Sequence, residues 1–276
     1  MMLGRLLVTM LLLAGGAAMG GETAVSERAV EMESRPGVVT AYYLAVPAAP
    51  PVAAAILFTG GEGSVGVRPG MEIAEPVPFG RGNFLVRTRR LLASAGILVA
   101  TIDAPSDQGG GMTTSFRLSD EHMADIAALA AVLKRENGGI PVWLIGTSMG
   151  TLSAAQGAAR LGDRVDGLIL TSSITRGHRK HSYPPNGVLG LGLDEVTIPA
   201  LVVAHAGDAC EVTPPADAPR VAEALAKSRR RDLLMVEGGA EARSGACEAM
   251  SPHGYFGREQ EVVAAMAAFI TRPDRR

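Results

Sequence analysis

Cysteine is scarce in this chain of 276 residues: there are only two, Cys210 and Cys247. That is too few for a four-thiolate zinc or iron–sulfur centre. Aromatic side chains are sparse as well, with one Trp, four Tyr and six Phe, which argues against the stacking platforms of polysaccharide binders. No charge of one sign dominates, because 26 Lys and Arg stand against 28 Asp and Glu, a formal net charge of −2. A phosphate backbone therefore meets no electrostatic footprint, and nucleic acid is not expected as a partner. Beyond residue 20 no apolar run approaches the ~20 residues needed to span a bilayer. Three motifs are missing too: H-E-x-x-H, G-x-x-x-x-G-K-S/T, and a strand-borne G-x-G-x-x-G. Zinc proteolysis, phosphoryl transfer and hydride transfer have no sequence support, and no cofactor or metal is expected. What is present, 47% hydrophobic and 20% charged residues, suits a globular chain with one large α/β core.

The first twenty residues stand apart. Arg5 supplies a positive start, residues 6–13 are almost unbroken apolar, and 14–20 are small residues plus one Met. That order is the n-, h- and c-region order of a secretory signal peptide, cleaved after Gly20 or Ala18. The stretch is short for a membrane anchor, and no Cys nearby offers a lipid attachment point. The mature chain, residues 21–276, is then expected in the periplasm or outside the cell, with no stable membrane insertion. In such a compartment thiols stay oxidised.

Buried strands and helices alternate along the mature chain. Short apolar runs at 53–58, 97–102, 141–145, 165–171, 198–204 and 233–236 predict strands, and 38–46 predicts an edge strand. Helical spacing covers 83–95, 119–137, 149–160, 217–228 and 258–270. The Gly- and Pro-rich stretch 60–82 is a long loop. Apolar strands alternating with helices predict a mostly parallel sheet with helices on both faces.

The chemistry begins at Gly146-Thr-Ser-Met-Gly150, a G-x-S-x-G pentapeptide. Alone it is a weak signal, but here it follows a buried strand and opens a helix of small residues, as a nucleophile elbow requires. A serine needs a base, and the base an orienting acid. Asp208 follows the strand at 198–204, and His253 precedes the last helix. Ser148, Asp208 and His253 thus occur in the order Ser, Asp, His, each in a loop beyond a separate strand. Asp217 and Glu211 are the alternative acids. Among the other histidines, His122 lies within a helix, His178 and His181 in a basic stretch, and His205 before the acid. His205 is the best spare.

These segments resemble the α/β-hydrolase superfamily, specifically its small secreted dienelactone-hydrolase-like and esterase-like members. The resemblance rests on Leu57-Phe-Thr-Gly-Gly61, Gly146-Thr-Ser-Met-Gly150, Ala206-Gly-Asp208 and Pro252-His253-Gly, and covers most of residues 50–271. It implies Ser148 as nucleophile, His253 as general base and Asp208 as its orienter. It also implies an oxyanion hole from the N–H groups of Met149 and Gly61, with Glu62 the next choice for the second donor. Thr59 stands where many members have the His of a His-Gly pair. Residues 174–197 fall where the superfamily often inserts a cap. The expected substrate is a small-molecule ester, cleaved through an acyl-enzyme. A peptidase or amidase on the same triad, or a non-catalytic binding protein of this fold, is the alternative. Export of the only two cysteines predicts a Cys210–Cys247 disulfide.

Overall fold

The computed structural model describes residues 25–68, 80–178 and 182–273. The expected signal peptide at 1–20, residues 69–79 of the long loop, and residues 179–181 of the basic stretch lie outside the described residues. Among the described residues, eight strands form one sheet: β1 (Ser26–Arg35), β2 (Val38–Val46), β3 (Ala53–Phe58), β4 (Ile97–Ile102), β5 (Val142–Thr147), β6 (Gly167–Thr171), β7 (Ala200–His205) and β8 (Arg231–Val236). Their order is β1-β2-β4-β3-β5-β6-β7-β8. β1–β2 and β2–β4 pair antiparallel, and every other neighbouring pair is parallel.

Alternation along the strands divides the core. Ala54, Ile56, Phe58, Val142 and Leu144 face one side, where they meet α3 (Asp120–Glu136), α4 (Gly150–Leu161) and α5 (Ala218–Ala224). Ala53, Ala55, Leu57, Trp143 and Ile145 face the other, against α1 (Phe84–Ser94) and α6 (Glu259–Thr271). Strands buried on both faces read as continuous apolar runs for this reason. Helix starts follow from capping. Asn83 Oδ1 accepts from Leu85 N at the head of α1, and Ser119 Oγ accepts from His122 N at the head of α3. Asp120 and Glu121 in the first turn of α3, with Lys134 and Arg135 in its last, complement its dipole.

Two expectations need correction, and two elements, β1 and α2 (Thr114–Arg117), carried no expectation. The strand expected at the edge over 38–46 is interior, because β1 pairs outside it. Charges disguise β1, yet its Glu27 carboxylate is buried (2% exposed) and neutralised by Arg89 of α1. The four-residue helix α2 stands between β4 and α3. The helix expected over 217–228 ends at Ala224. The Ser228 hydroxyl donates to Ile198 O (2.7 Å) and Arg230 O (2.8 Å), turning the chain back into the sheet.

Parallel strands carry their C-terminal ends to one side. The loops after β3, β5, β6, β7 and β8 therefore gather at one rim, the usual place for a site in this architecture.

Candidate active site

The turn after β5 is tightly specified. Ser148 has φ 52°, a left-handed conformation costly for a residue with a side chain. Its neighbours leave no alternative. A Cβ on Gly146 would lie 2.5 Å from Gly150 O, and one on Gly150 only 2.0 Å from Phe58 O. Glycine at both places lets strand, turn and helix pack this closely, so that the serine is pushed out of the turn. Ser148 N donates to Thr171 O of β6 (3.1 Å). α4 starts directly behind it, and a helix start leaves N–H groups without backbone acceptors.

Asp208 and His253 meet across two loops. His253 Nδ1 lies 3.0 Å from Asp208 Oδ2, with both side chains buried. The carboxylate is itself held: Oδ1 accepts from Cys210 N (2.9 Å), and Oδ2 accepts from the Thr213 hydroxyl (3.0 Å). Thr213 Oγ1 is also 3.1 Å from His253 Nδ1, so its oxygen shares the imidazole proton with the carboxylate. An ionised Asp208 favours the tautomer with the proton on Nδ1, which leaves the Nε2 lone pair free. His253 sits on a single turn, Pro252–Gly254, whose Ser251 hydroxyl oxygen accepts from His253 N (3.3 Å). Ser172 Oγ donates to His253 O (2.8 Å). Tyr255 accepts from Ser172 N (2.9 Å) and donates to Val203 O (2.8 Å), and burial pushes its phenol upward.

Ser148 and His253 face one small cavity of about 60 Å³, together with Gly60, Gly61, Asn83 and Cys247. No hydrogen bond joins Ser148 Oγ to the imidazole among the described contacts; catalytic hydrogen bonds are often loose before substrate arrives. A second cavity of about 480 Å³ is lined by Gly61, Glu62, Met112, Met149, Ser182 and Tyr183, among others. Gly61 lines both. Of the segment 174–197, Ser182 and Tyr183 reach this cavity, while Val188, Leu193 and Val196 are buried in the core.

The spare residues have other partners. Asp217 accepts from Thr175, Arg176 and Arg220. Burial alone would raise its carboxyl, but those three hydrogen bonds outweigh it and hold the group below the usual carboxylate range. Glu211 is exposed and pairs with His178 (3.3 Å). His205 Nε2 lies 2.8 Å from Gly238 O, and its Nδ1 accepts from Gly207 N, so it organises its own turn. His122 is wholly buried in α3. Burial first, then repulsion by Arg117 and Arg35, lowers it to about 3. Thr213, Ser172 and Tyr255 support the loops of Asp208 and His253 without any signal in the sequence. Among the described residues, no three or more His, Cys, Asp and Glu gather as a metal site, and no helix is long and apolar enough to cross a membrane.

Cys210 and Cys247 form a disulfide, with Cα atoms 4.6 Å apart and a sequence separation of 37. It ties the loop of Asp208 to the loop before His253, and Cys247 lines the small cavity. Closing a loop of this length stabilises a fold by roughly 3–4 kcal/mol in the chain-entropy model. The double variant Cys210→Ala/Cys247→Ala should therefore lose about that much unfolding free energy in denaturant titration. An unchanged denaturation midpoint would refute the stabilising role.

Fold and motif together define an α/β-hydrolase-fold serine hydrolase. The chain belongs to the serine aminopeptidase S33 family, whose sequence pattern matches residues 84–245. That stretch contains Ser148 and Asp208 and stops short of His253, which the tertiary contact to Asp208 supplies. No curated protein sequence matches the chain. Solved structures do. Est1E from Butyrivibrio proteoclasticus is 17% identical, with 88% of this chain and 97% of that one covered at a TM-score of 0.60. The Pyrococcus furiosus esterase Pf2001 is 15% identical, with 96% and 97% covered at 0.63. A Klebsiella pneumoniae protein assigned as a dienelactone hydrolase is 15% identical, with 90% and 100% covered at 0.57. At such identities the likeness establishes the fold.

Proposed function

We propose that this protein hydrolyses small-molecule carboxylic esters through an acyl-enzyme on Ser148. The observation that carries this reading is the buried Asp208–His253 hydrogen bond opening onto the cavity that Ser148 faces. His253 Nε2 takes the serine proton as Oγ attacks the ester carbonyl. The N–H groups of Met149 and Gly61 receive the developing oxyanion, where two fixed donors stabilise charge by several kcal/mol. The imidazolium, held by Asp208 and Thr213, returns the proton to the leaving alcohol. Water then repeats the sequence on the acyl-enzyme and releases the acid. Atoms balance with no cofactor.

The larger cavity takes one end of the ester, since about 480 Å³ falls in the range of small-molecule sites. Ser182 and Tyr183 contribute to its wall from the segment where a cap was expected. Residues 1–20 act as a signal peptide, and the mature chain works in the periplasm or outside the cell. The disulfide supports that placement, because such bonds persist in oxidising compartments. The family's description as serine aminopeptidases favours a second reading, amide hydrolysis at the same serine.

A panel of p-nitrophenyl esters of graded acyl length, with p-nitroanilides of the same acids, separates the two. Est1E has been solved with ferulic acid bound, so methyl ferulate joins the panel. The esters should turn over faster than their anilides. Anilides turning over faster would replace the esterase reading with the amidase one.

A further inference from the structure

One buried cation near the site has no part in the scheme above. Arg117, the last residue of α2, is 0% exposed. Its Nη2 donates to two backbone carbonyls, Thr59 O (3.3 Å) and Gly61 O (3.0 Å). Its Nη1 donates to the Ser153 hydroxyl of α4 (2.9 Å). Ser153 Oγ also lies 3.0 Å from His122 Nε2. Among the described residues, all three acceptors of the guanidinium are neutral, and its Nε has no partner. Burial lowers Arg117 to about 10, which leaves it charged at neutral pH. An apolar side chain would fill the same space without the desolvation cost of a cation.

The position explains what the cation does. We propose that Arg117 is a positioning residue for the hydrolysis at Ser148, clamping the loop that carries Gly60 and Gly61 to the helix behind the nucleophile. This rests on the assignment of Ser148 and Gly61 given above. The two carbonyls it grips flank the Gly60–Gly61 peptide, whose N–H is the second oxyanion donor. Two consecutive glycines have no side chains to anchor them, so their peptide needs an external restraint. The loop is in turn shaped around the guanidinium: a Cβ on Gly63 would lie 2.4 Å from Arg117 Nη2. The loop also touches the nucleophile, since a Cβ on Gly60 would lie 3.1 Å from Ser148 Cβ. The rigid fork sets Nη2 on the two loop carbonyls and Nη1 on the α4 hydroxyl in one fixed plane, whereas an ammonium is a point charge on a flexible stem. A donor displaced by ~1 Å loses most of its catalytic effect.

The test compares Arg117→Met, Arg117→Lys and Ser153→Ala with wild type, using p-nitrophenyl acetate as substrate and a trifluoromethyl ketone as transition-state analogue. In Arg117→Met, kcat should fall roughly 10²-fold, the scale of losing one oxyanion donor, while KM stays within about threefold. Affinity for the ketone should weaken in parallel with kcat/KM, a readout that general destabilisation does not move. Arg117→Lys keeps the charge and loses the fork, so it should remain at least about tenfold impaired in kcat. If neither folds, Ser153→Ala reads the clamp from its other end, and kcat should drop with KM unchanged. A folded Arg117→Met or Arg117→Lys with wild-type kcat, a loss confined to KM, or a silent Ser153→Ala would overturn the clamp. Ser148→Ala is run alongside. Turnover surviving in Ser148→Ala sinks the site assignment itself; a dead Ser148→Ala beside a fully active Arg117→Met sinks the clamp alone.

Discussion

Ser148→Ala should lose ester turnover by roughly a millionfold, the scale of removing a serine nucleophile from such a triad. The fold should survive, because the Ser148 hydroxyl donates no hydrogen bond among the described residues and alanine takes away a single oxygen. Its backbone places the oxygen where it is useful: a left-handed residue between two glycines that tolerate no Cβ. Relief of strain is not expected, since alanine at φ 52° is as uncomfortable as serine. No other serine at the rim offers the same setting. Ser172 also has positive φ, at 46°, but its hydroxyl is buried and committed to His253 O. Ser251 is committed to the Glu248 carbonyl (2.7 Å). Initial rates on p-nitrophenyl acetate, with circular dichroism to check folding, decide the matter. Turnover within about tenfold of wild type in clean, folded protein would contradict the assignment.

Asp208→Asn should cost about 10⁴-fold in turnover and leave a folded protein. The amide keeps the size of the carboxylate and can still accept from Cys210 N. What changes is the face toward His253. An amide NH₂ turned to Nδ1 demands the opposite tautomer, which puts a proton on Nε2 and removes the base. Thr213 does not compensate, because its oxygen is shared by the same Nδ1 and carries no charge. KM should change little, since Asp208 lies behind the imidazole and away from either cavity lining. Steady-state kinetics with the ester panel give both constants. A near-silent Asp208→Asn would break the triad, and the structure offers no easy replacement. Asp217 is spent on Thr175, Arg176 and Arg220, and Glu211 lies out at the surface with His178.

What could be read from the chain alone was what depends on neighbours in sequence. β3, β5 and β7 are six-residue runs buried along their whole length, and such runs look the same in isolation as in the sheet. The elbow is a local device of five residues, and its two glycines declare the close approach that the structure then shows. The cysteine pair needed only counting and an assumption about compartment. β1 was missed for the opposite reason. Its alternating charges look solvated until Arg89, 62 residues away, comes down on Glu27. The supports of the base were equally hidden. Tyr255 reaches Ser172 across 83 residues, and Thr213 reaches His253 across 40. Nothing near Thr213, Ser172, Tyr255 or Arg117 in the sequence distinguishes them from ordinary loop and helix residues. Their roles come from loops that the parallel sheet gathers at one rim.

The claim on which everything else depends is that Ser148 is an activated nucleophile in the folded protein. A fluorophosphonate reacts covalently only with such a serine, so digestion and peptide mass spectrometry after labelling locate it directly. One adduct per chain is expected, on the peptide containing Ser148, formed by native protein and lost when the protein is heated before labelling. An adduct on another serine, or none on well-folded protein, would contradict the account, the second result favouring a non-catalytic binding protein built on this fold.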